Sequence, residues 1–197
     1  ELHETHPYLD VGSAGLPVLL HYLINHPEEG GVAAKILNKT DYPGYGYFVE
    51  RGETTFPEHW ETDVPSRIHT CYIGIASWFI KGLCGIQPDV NNPGYQSFII
   101  RPVIVPEATF AEASVESPYG KIVSRWERKD DKIILSVTVP PNASAMVHIP
   151  ASQPRQITES GHPLDVAEGV VPKGAGNGYI VVEVVSGKYG FTAKYNN

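Results

Sequence analysis

The sequence predicts an α+β fold in two parts, with helices in the first part and an antiparallel β-sandwich in the second. Apolar residues recur at helical spacing up to about residue 90. Beyond that point, short segments rich in β-branched and aromatic residues alternate with turn sequences. Hydrophobic residues make up 42% and charged residues 19% of the 197-residue chain, which is a globular composition. We therefore divide the chain into residues 1–89 and 90–197.

Two helices are predicted near the start of the chain. Pro17 suits the first turn of the first helix, and the sequence Asn25-His26-Pro27 ends it. The second helix covers residues 31–38. The helical spacing of the first is carried by Leu16, Leu19, Leu20, Leu23 and Ile24.

A loop, a hairpin and a third helix are predicted next. Residues 42–46 read YPGYG and favour a loop, and residues 47–56 favour a short hairpin around Arg51-Gly52. Ser66 is a suitable N-cap for a helix over residues 67–84, which Gly85 would end. Apolar residues cover a wide face of this helix, so we expect other polypeptide to pack on most of it.

Seven strand-like segments follow, separated by sequences such as SPYG, PPN and ESGHP. GAGNG, at residues 174–178, precedes a strand rather than a helix, so it favours a hairpin turn over a phosphate-binding loop. The predicted strands are residues 98–105, 108–116, 121–129, 132–140, 143–150, 179–187 and 189–195.

Charge and composition argue against several partners. The formal net charge is −7 and the pI is near 5.6, which is unfavourable for binding a phosphate backbone. The longest nearly apolar run, residues 71–83, is too short to cross a membrane. On one helix Cys71 and Cys84 would lie about 20 Å apart, so we expect free thiols. The eight histidines form no evident ligand array, and we predict no metal and no cofactor.

The segment GETTFPEHWE, residues 52–61, is the strongest candidate for a functional site. It brings Glu58 and other carboxylates into an irregular, aromatic-rich stretch, a composition typical of sugar pockets, and carboxylates suit general acid–base chemistry. The alternative is that Glu58 is an ordinary surface charge beside Trp60 in the core. His69 lies where the loop enters the next helix, and it could face the same cavity.

Several motifs, in order, resemble one enzyme family over about residues 8–150. They are LDVGSAGLPVLLHYL (9–23), YPGYGYFVERGETTFPEHWE (42–61), SRIHTCYIGIASWFIKGLCGI (66–86), PGYQSFIIRP (93–102), FAEASVESPYGKIVSRW (110–126) and PPNASAMVHIP (140–150). They resemble the end of the catalytic domain, and the domain after it, of α-L-rhamnosidases of glycoside hydrolase family 78. The residue before Glu58 is Pro57, where the family often has tryptophan, and Gly74 is displaced by one position from the usual glycine.

The resemblance implies a fold and a reaction. Residues 1–89 would be the C-terminal segment of an (α/α)6 catalytic barrel, and residues 90–197 a C-terminal β-sandwich. The family cleaves terminal α-L-rhamnose from glycosides or polysaccharides with inversion. Glu58 would match the general base, and the sugar-binding positions would match Trp60, His69, Tyr45 and Tyr47.

The resemblance also implies that part of the catalytic apparatus lies elsewhere. The family's general acid lies upstream of the positions matched here, so we expect a fragment that is inactive alone and whose partner is the missing N-terminal part. Two alternatives stay open: a carbohydrate-binding or scaffolding sandwich, with Trp126 and Tyr119 as candidate sugar contacts, and a related glycosidase on the same barrel. The sequence does not indicate a compartment.

Overall fold

The computed structural model describes residues 11–195. The chain divides into two compact units, Glu1–Phe79 and Ile80–Asn197. The described part of the first unit is helical, and the second contains two sheets, so the predicted α+β class is confirmed. The domain boundary between residues 89 and 90 stays a prediction.

Helices and irregular loops make up the described part of the first unit. The predicted helices near residues 16–24 and 31–38 are confirmed, and a 3-10 turn, Pro27–Glu29, joins them. The helices are α1 (Leu16–Asn25), α2 (Gly30–Asn38), α3 (Tyr45–Glu50), α4 (Thr70–Ile73) and α5 (Ile75–Trp78).

The hairpin predicted over residues 47–56 is wrong, because this stretch begins within helix α3. Two α3 side chains one helical turn apart, Tyr45 and Phe48, are buried, whereas Val49 is exposed. Gly46 allows the close approach that seats the helix, since a Cβ atom there would lie 2.5 Å from the carbonyl oxygen of Lys39. The turn at Arg51-Gly52 does form, with Gly52 at a φ of +70°, but it ends helix α3 instead of joining two strands.

The single helix predicted over residues 67–84 is also wrong. Ser66 is not an N-cap, because helix α4 begins at Thr70 after His69 in an extended conformation. The helix is interrupted at Gly74 and continues as α5, which is followed by a π-helical turn, Phe79–Leu83. His69 is extended, and its N–H donates to Phe56 O, while Glu58 N–H donates to Ser66 O, so the backbone before helix α4 pairs with an earlier part of the loop instead of continuing the helix.

The second unit contains a five-stranded and a six-stranded sheet, in which every paired strand is antiparallel except the parallel pair β2–β6. The five-stranded sheet has the order β1 (Ile86–Pro88), β2 (Ser97–Ile100), β6 (Ser144–Pro150), β10 (Tyr179–Val184) and β9 (Val170–Gly176). The six-stranded sheet has the order β3 (Phe110–Ser117), β4 (Gly120–Lys129), β5 (Lys132–Val139), β11 (Gly187–Lys194), β7 (Ile157–Glu159) and β8 (His162–Pro163).

Alternate residues of the longer strands bury one hydrophobic core between the sheets. Trp126 is fully buried, and its indole N–H donates to the carbonyl oxygen of Leu83 at 2.8 Å. The GAGNG hairpin turn is confirmed, with Asn177 and Gly178 at positive φ between β9 and β10. Strand β2 stops at Ile100, short of the predicted end, and the sequence patterns missed β1, β7, β8 and β9.

Three further observations concern residues 11–195. Within this range, no helix is long and apolar enough to cross a membrane. Cys71 is half-buried and Cys84 is buried, and both are free thiols. The described side chains include no group of three or more histidines, cysteines and acids that could hold a metal ion.

Candidate active site

The loop between α3 and α4 carries most of the candidate residues and has no regular secondary structure. Two backbone hydrogen bonds pair the middle of this loop with its end: Glu58 N–H donates to Ser66 O at 3.1 Å, and His69 N–H donates to Phe56 O at 3.0 Å. This pairing brings Glu58 and His69, which are separate in the sequence, into one neighbourhood. A sequence pattern could not show it, because the pairing is too short to form a recognisable strand.

Glu58 is a partly exposed residue of this loop. Its neighbours Pro57 and Trp60 are buried, so the backbone on both sides is fixed by packing. Among residues 11–195, the Glu58 carboxylate has no hydrogen-bond or ion-pair partner, and only its backbone N–H is bonded. A partly exposed carboxylate on an anchored backbone can accept a proton from an incoming molecule.

Trp60 belongs to the aromatic core of the helical unit. It is 6% exposed, and its indole N–H donates to the carbonyl oxygen of Val11 at 3.0 Å. Its ring stacks on Phe48 with centroids 5.5 Å apart and stands nearly perpendicular to Tyr72 at 4.8 Å. The structure therefore gives Trp60 the core position that the alternative interpretation of this segment assigned to it.

Tyr45 is buried against the same core. It is 5% exposed, and its hydroxyl donates to the carbonyl oxygen of Tyr72 at 2.9 Å. Burial raises the pKa of the Tyr45 phenol well above its usual range, and the nearby Tyr72 contributes in the same direction. Tyr45 therefore stays neutral and links helix α3 to helix α4.

Tyr47 is half-buried, and its ring lies beside exposed groups. The Arg51 guanidinium is 5.3 Å from its ring centroid, and the Tyr42 ring meets it edge-on at 5.6 Å. The exposed Tyr42 donates its hydroxyl to Glu61 at 3.0 Å. Two hydrogen bonds lower the pKa of the Glu61 carboxyl. The larger effect comes from the backbone N–H of Glu61 itself, and the smaller from the Tyr42 hydroxyl.

His69 is partly exposed and immediately precedes helix α4. Its ring centroid is 6.4 Å from that of Tyr72. Its Nδ1 atom is buried and has no hydrogen-bond partner in the part of the chain that the structure describes. A buried polar atom without a partner is uncommon in folded proteins, and a catalytic role or a bound molecule is among its explanations.

Arg67 is a functional candidate that the sequence patterns missed. One of its guanidinium nitrogens, Nη1, lies 3.2 Å from Glu53 Oε2 and 2.6 Å from the carbonyl oxygen of Thr62. The available signal was the opposite charge of Glu53 and Arg67 on either side of the Glu58 segment. Such a pair is too common in protein sequences to identify a contact.

The two sugar-contact candidates of the sandwich differ in exposure. Trp126 is fully buried, so its indole ring cannot present a surface to a sugar. Tyr119 is half-buried and packs against the core of the sandwich. These positions do not support a sugar-binding face built on Trp126.

A partly exposed carboxylate beside aromatic side chains suits the acid–base chemistry of glycoside hydrolases, which act on sugars through carboxyl groups. Residues 1–83 match the family model described as the bacterial alpha-L-rhamnosidase 6 hairpin glycosidase domain. Residues 85–163 match the bacterial alpha-L-rhamnosidase C-terminal domain. The two models together cover most of the chain, and the chain belongs to the bacterial α-L-rhamnosidase family.

Individual relatives agree with this assignment. A curated α-L-rhamnosidase of Streptomyces avermitilis is 31% identical in an alignment that covers 94% of this chain and 18% of that protein. The crystal structure of the Streptomyces avermitilis α-L-rhamnosidase complexed with L-rhamnose has a TM-score of 0.85 at 30% identity, over 98% of this chain and 19% of that one. The α-L-rhamnosidase structure from Dictyoglumus thermophilum has a TM-score of 0.84 at 27% identity, over 98% and 22%. This chain therefore spans about a fifth of the length of these relatives.

Proposed function

We propose that residues 1–197 contribute the general base to an inverting α-L-rhamnosidase, and that this base is Glu58. The substrate is a glycoside or polysaccharide with terminal α-L-rhamnose. The observation that carries the proposal is the partly exposed Glu58 carboxylate, which has no partner within residues 11–195 although its backbone is anchored. Membership of the α-L-rhamnosidase family supports the substrate class.

The neighbouring carboxylates are less suited to act as a base. Glu53 is engaged by the Arg67 guanidinium, and Glu61 accepts the Tyr42 hydroxyl, which helps to lower its pKa. A general base must be ionised, must reach its water and must be able to accept the proton. Of the three acids in the segment, Glu58 is the one whose oxygens have no partner within residues 11–195 and can therefore bind a water molecule.

Inversion defines what Glu58 must do. The base removes a proton from a water molecule as that water attacks the anomeric carbon, while a second carboxyl group protonates the leaving oxygen on the opposite face of the sugar. The two carboxyl groups of inverting glycosidases are about 6.5–9.5 Å apart, which leaves space for the water. We propose that the acid is supplied by polypeptide outside residues 1–197, so that these residues alone do not hydrolyse rhamnosides.

The other candidate residues would bind and frame the sugar. His69 and Tyr47 are partly exposed and are proposed to contact it directly. The Nδ1 atom of His69 has no partner within the described residues, and this supports the role because a sugar hydroxyl would supply a hydrogen bond. Trp60 and Tyr45 are proposed to act as the rigid wall behind these side chains, since both are almost fully buried.

The test uses the longest natural polypeptide that contains residues 1–197. We expect it to release rhamnose from an aryl α-L-rhamnoside, with the β-anomer as the first product seen by NMR. Glu58→Gln should lower kcat by about a thousandfold or more, within the range typical of a lost general acid or base. Glu50→Gln, an exposed acid on α3, is the control.

The two parts of the proposal fail separately. Undiminished activity in Glu58→Gln would remove Glu58 as the base. An α-anomer as the first product would contradict inversion, whatever the role of Glu58.

A further inference from the structure

We propose that Arg67 is a positioning residue that closes the loop carrying Glu58 and thereby fixes the direction of the Glu58 carboxylate. We call residues 53–67 the base loop. This inference rests on the proposed function, because Arg67 would affect catalysis only by orienting the Glu58 carboxylate. Arg67 is not proposed to touch the sugar or the reacting atoms.

One guanidinium nitrogen of Arg67 contacts two different residues of the base loop. Arg67 Nη1 is 3.2 Å from Glu53 Oε2, at the start of the loop, and 2.6 Å from Thr62 O, past its midpoint. Arg67 itself is the last residue of the loop. A single side chain therefore connects the beginning, the middle and the end of the segment that carries Glu58.

The span from residue 59 to residue 65 depends on such side-chain bonds. Within the described residues, this span makes no backbone–backbone hydrogen bond, in contrast to Glu58, whose N–H donates to Ser66 O. Two bonds tie its beginning to other segments, Trp60 to Val11 and Tyr42 to Glu61. The bond from Arg67 to Thr62 ties the span to the chain that leads into helix α4.

The physical effect of this bond is on geometry rather than on global stability. Arg67 is 52% and Glu53 20% exposed, and ion pairs at such exposure contribute little to the free energy of folding. Catalytic rates are more sensitive, since a misplacement of about 1 Å can lower a rate by about a hundredfold. An ordinary surface ion pair would not explain the second, shorter bond to the Thr62 carbonyl oxygen.

The test compares Arg67→Gln, Arg67→Lys and Glu53→Gln in the same polypeptide, with the exposed Arg155→Gln as the control. For Arg67→Gln we expect kcat to fall about tenfold to a hundredfold, with KM changed by less than about threefold. The melting temperature and the acid limb of the kcat/KM pH profile should stay unchanged. Hydrogen exchange should become faster in residues 59–65.

The two conservative variants keep the proposal testable if Arg67→Gln does not fold. Arg67→Lys retains the charge and should recover part of kcat, and Glu53→Gln retains an oxygen acceptor and should be milder than Arg67→Gln. Arg155→Gln should match the unchanged protein in every measurement.

Three results would overturn the inference. An unchanged kcat in Arg67→Gln, beside an inactive Glu58→Gln, would exclude the positioning role and leave the proposed function intact. A raised KM with kcat preserved would show that Arg67 contacts the sugar. A fully active Glu58→Gln would overturn both the proposed function and this inference.

Discussion

The ring of Trp60 stands nearly perpendicular to the ring of Tyr72, with centroids 4.8 Å apart and planes at 88°. This edge-to-face contact joins the loop that carries Glu58 to helix α4. Because both rings are buried, we expect Trp60→Ala to lower the free energy of unfolding by about 3–5 kcal/mol. Urea unfolding followed by circular dichroism measures this loss.

An exposed apolar position provides the control for this loss of packing. Val49 lies on helix α3 and is 72% exposed, so Val49→Ala should change the unfolding free energy by less than about 0.5 kcal/mol. If Trp60→Ala were as mild as Val49→Ala, the aromatic cluster would not stabilise this unit.

Gly85 is the second position at which the structure makes a sharp prediction. Its φ is +77°, and a Cβ atom there would lie 2.2 Å from the carbonyl carbon of Arg101 and 2.3 Å from Pro102 N. Both neighbours are backbone atoms that no rotamer change can move. We therefore expect Gly85→Ala to destabilise the second unit by more than about 3 kcal/mol, with a correspondingly lower melting temperature.

Gly161 provides the control for this substitution. Its φ is +86°, close to that of Gly85, but nothing lies within 4 Å of a Cβ atom added there. Gly161→Ala should therefore cost only the backbone strain, about 1 kcal/mol. Equal effects of the two substitutions would show that the close approach to Arg101 is unimportant.

The sequence predicted most of the fold because most of it follows local rules. The helix near Leu16 and the long strands have clear periodicity. Gly178 identifies the turn between β9 and β10, because glycine readily adopts the positive φ found there. The errors occur where contacts between distant residues decide the backbone. His69 is extended rather than helical because its N–H pairs with Phe56 O, thirteen positions earlier, and no local pattern encodes that bond.

The candidate site was predictable as a segment but not as an arrangement. Residue types alone identified Glu58 and His69 as candidates, and the resemblance gave them roles. Residue types could not show that Trp60 and Tyr45 are buried, or that Arg67 reaches Thr62. Burial and side-chain reach depend on how the loop folds back on itself, which a pattern of neighbours does not determine.

His148 predicts how the stability of the second unit depends on pH. Burial, and then the nearby Arg101, lower the pKa of this histidine to about 4. In the unfolded chain the pKa is about 6.5. Between these values the unfolded state binds a proton that the folded state does not, so stability should fall as the pH is lowered from 6.5 to 4.

The expected loss is about 1–3 kcal/mol after allowance for the partial exposure of His148 to water. Urea unfolding at several pH values, followed by the circular dichroism of the β-sheets, measures it. His148→Gln should flatten this part of the profile, and His162→Gln is the control for replacing an exposed histidine. A profile that is unchanged in His148→Gln would mean that other groups cause the pH dependence.

From the exposed apolar side chains of helix α1, we predict that copies of the polypeptide 1–197, prepared alone, associate with one another. Val18 and Tyr22 lie four positions apart on one face of α1, and both are exposed, as are Ile73 and Phe79 elsewhere in the helical unit. Adjacent exposed apolar side chains favour association in water, because burying them removes apolar surface from solvent. We expect light scattering to show a mass above that of the monomer that increases with protein concentration.

Two valines of equal exposure test which surface is responsible. Val18 is 70% exposed on α1, and Val166 is 69% exposed in the second unit. Val18→Lys should shift the association to higher protein concentration, because a charge would have to be buried or left at the edge of the contact. Val166→Lys adds the same charge outside the helical unit and should leave the association unchanged. A monomer at all concentrations, or equal effects of the two substitutions, would show that the α1 face does not mediate association.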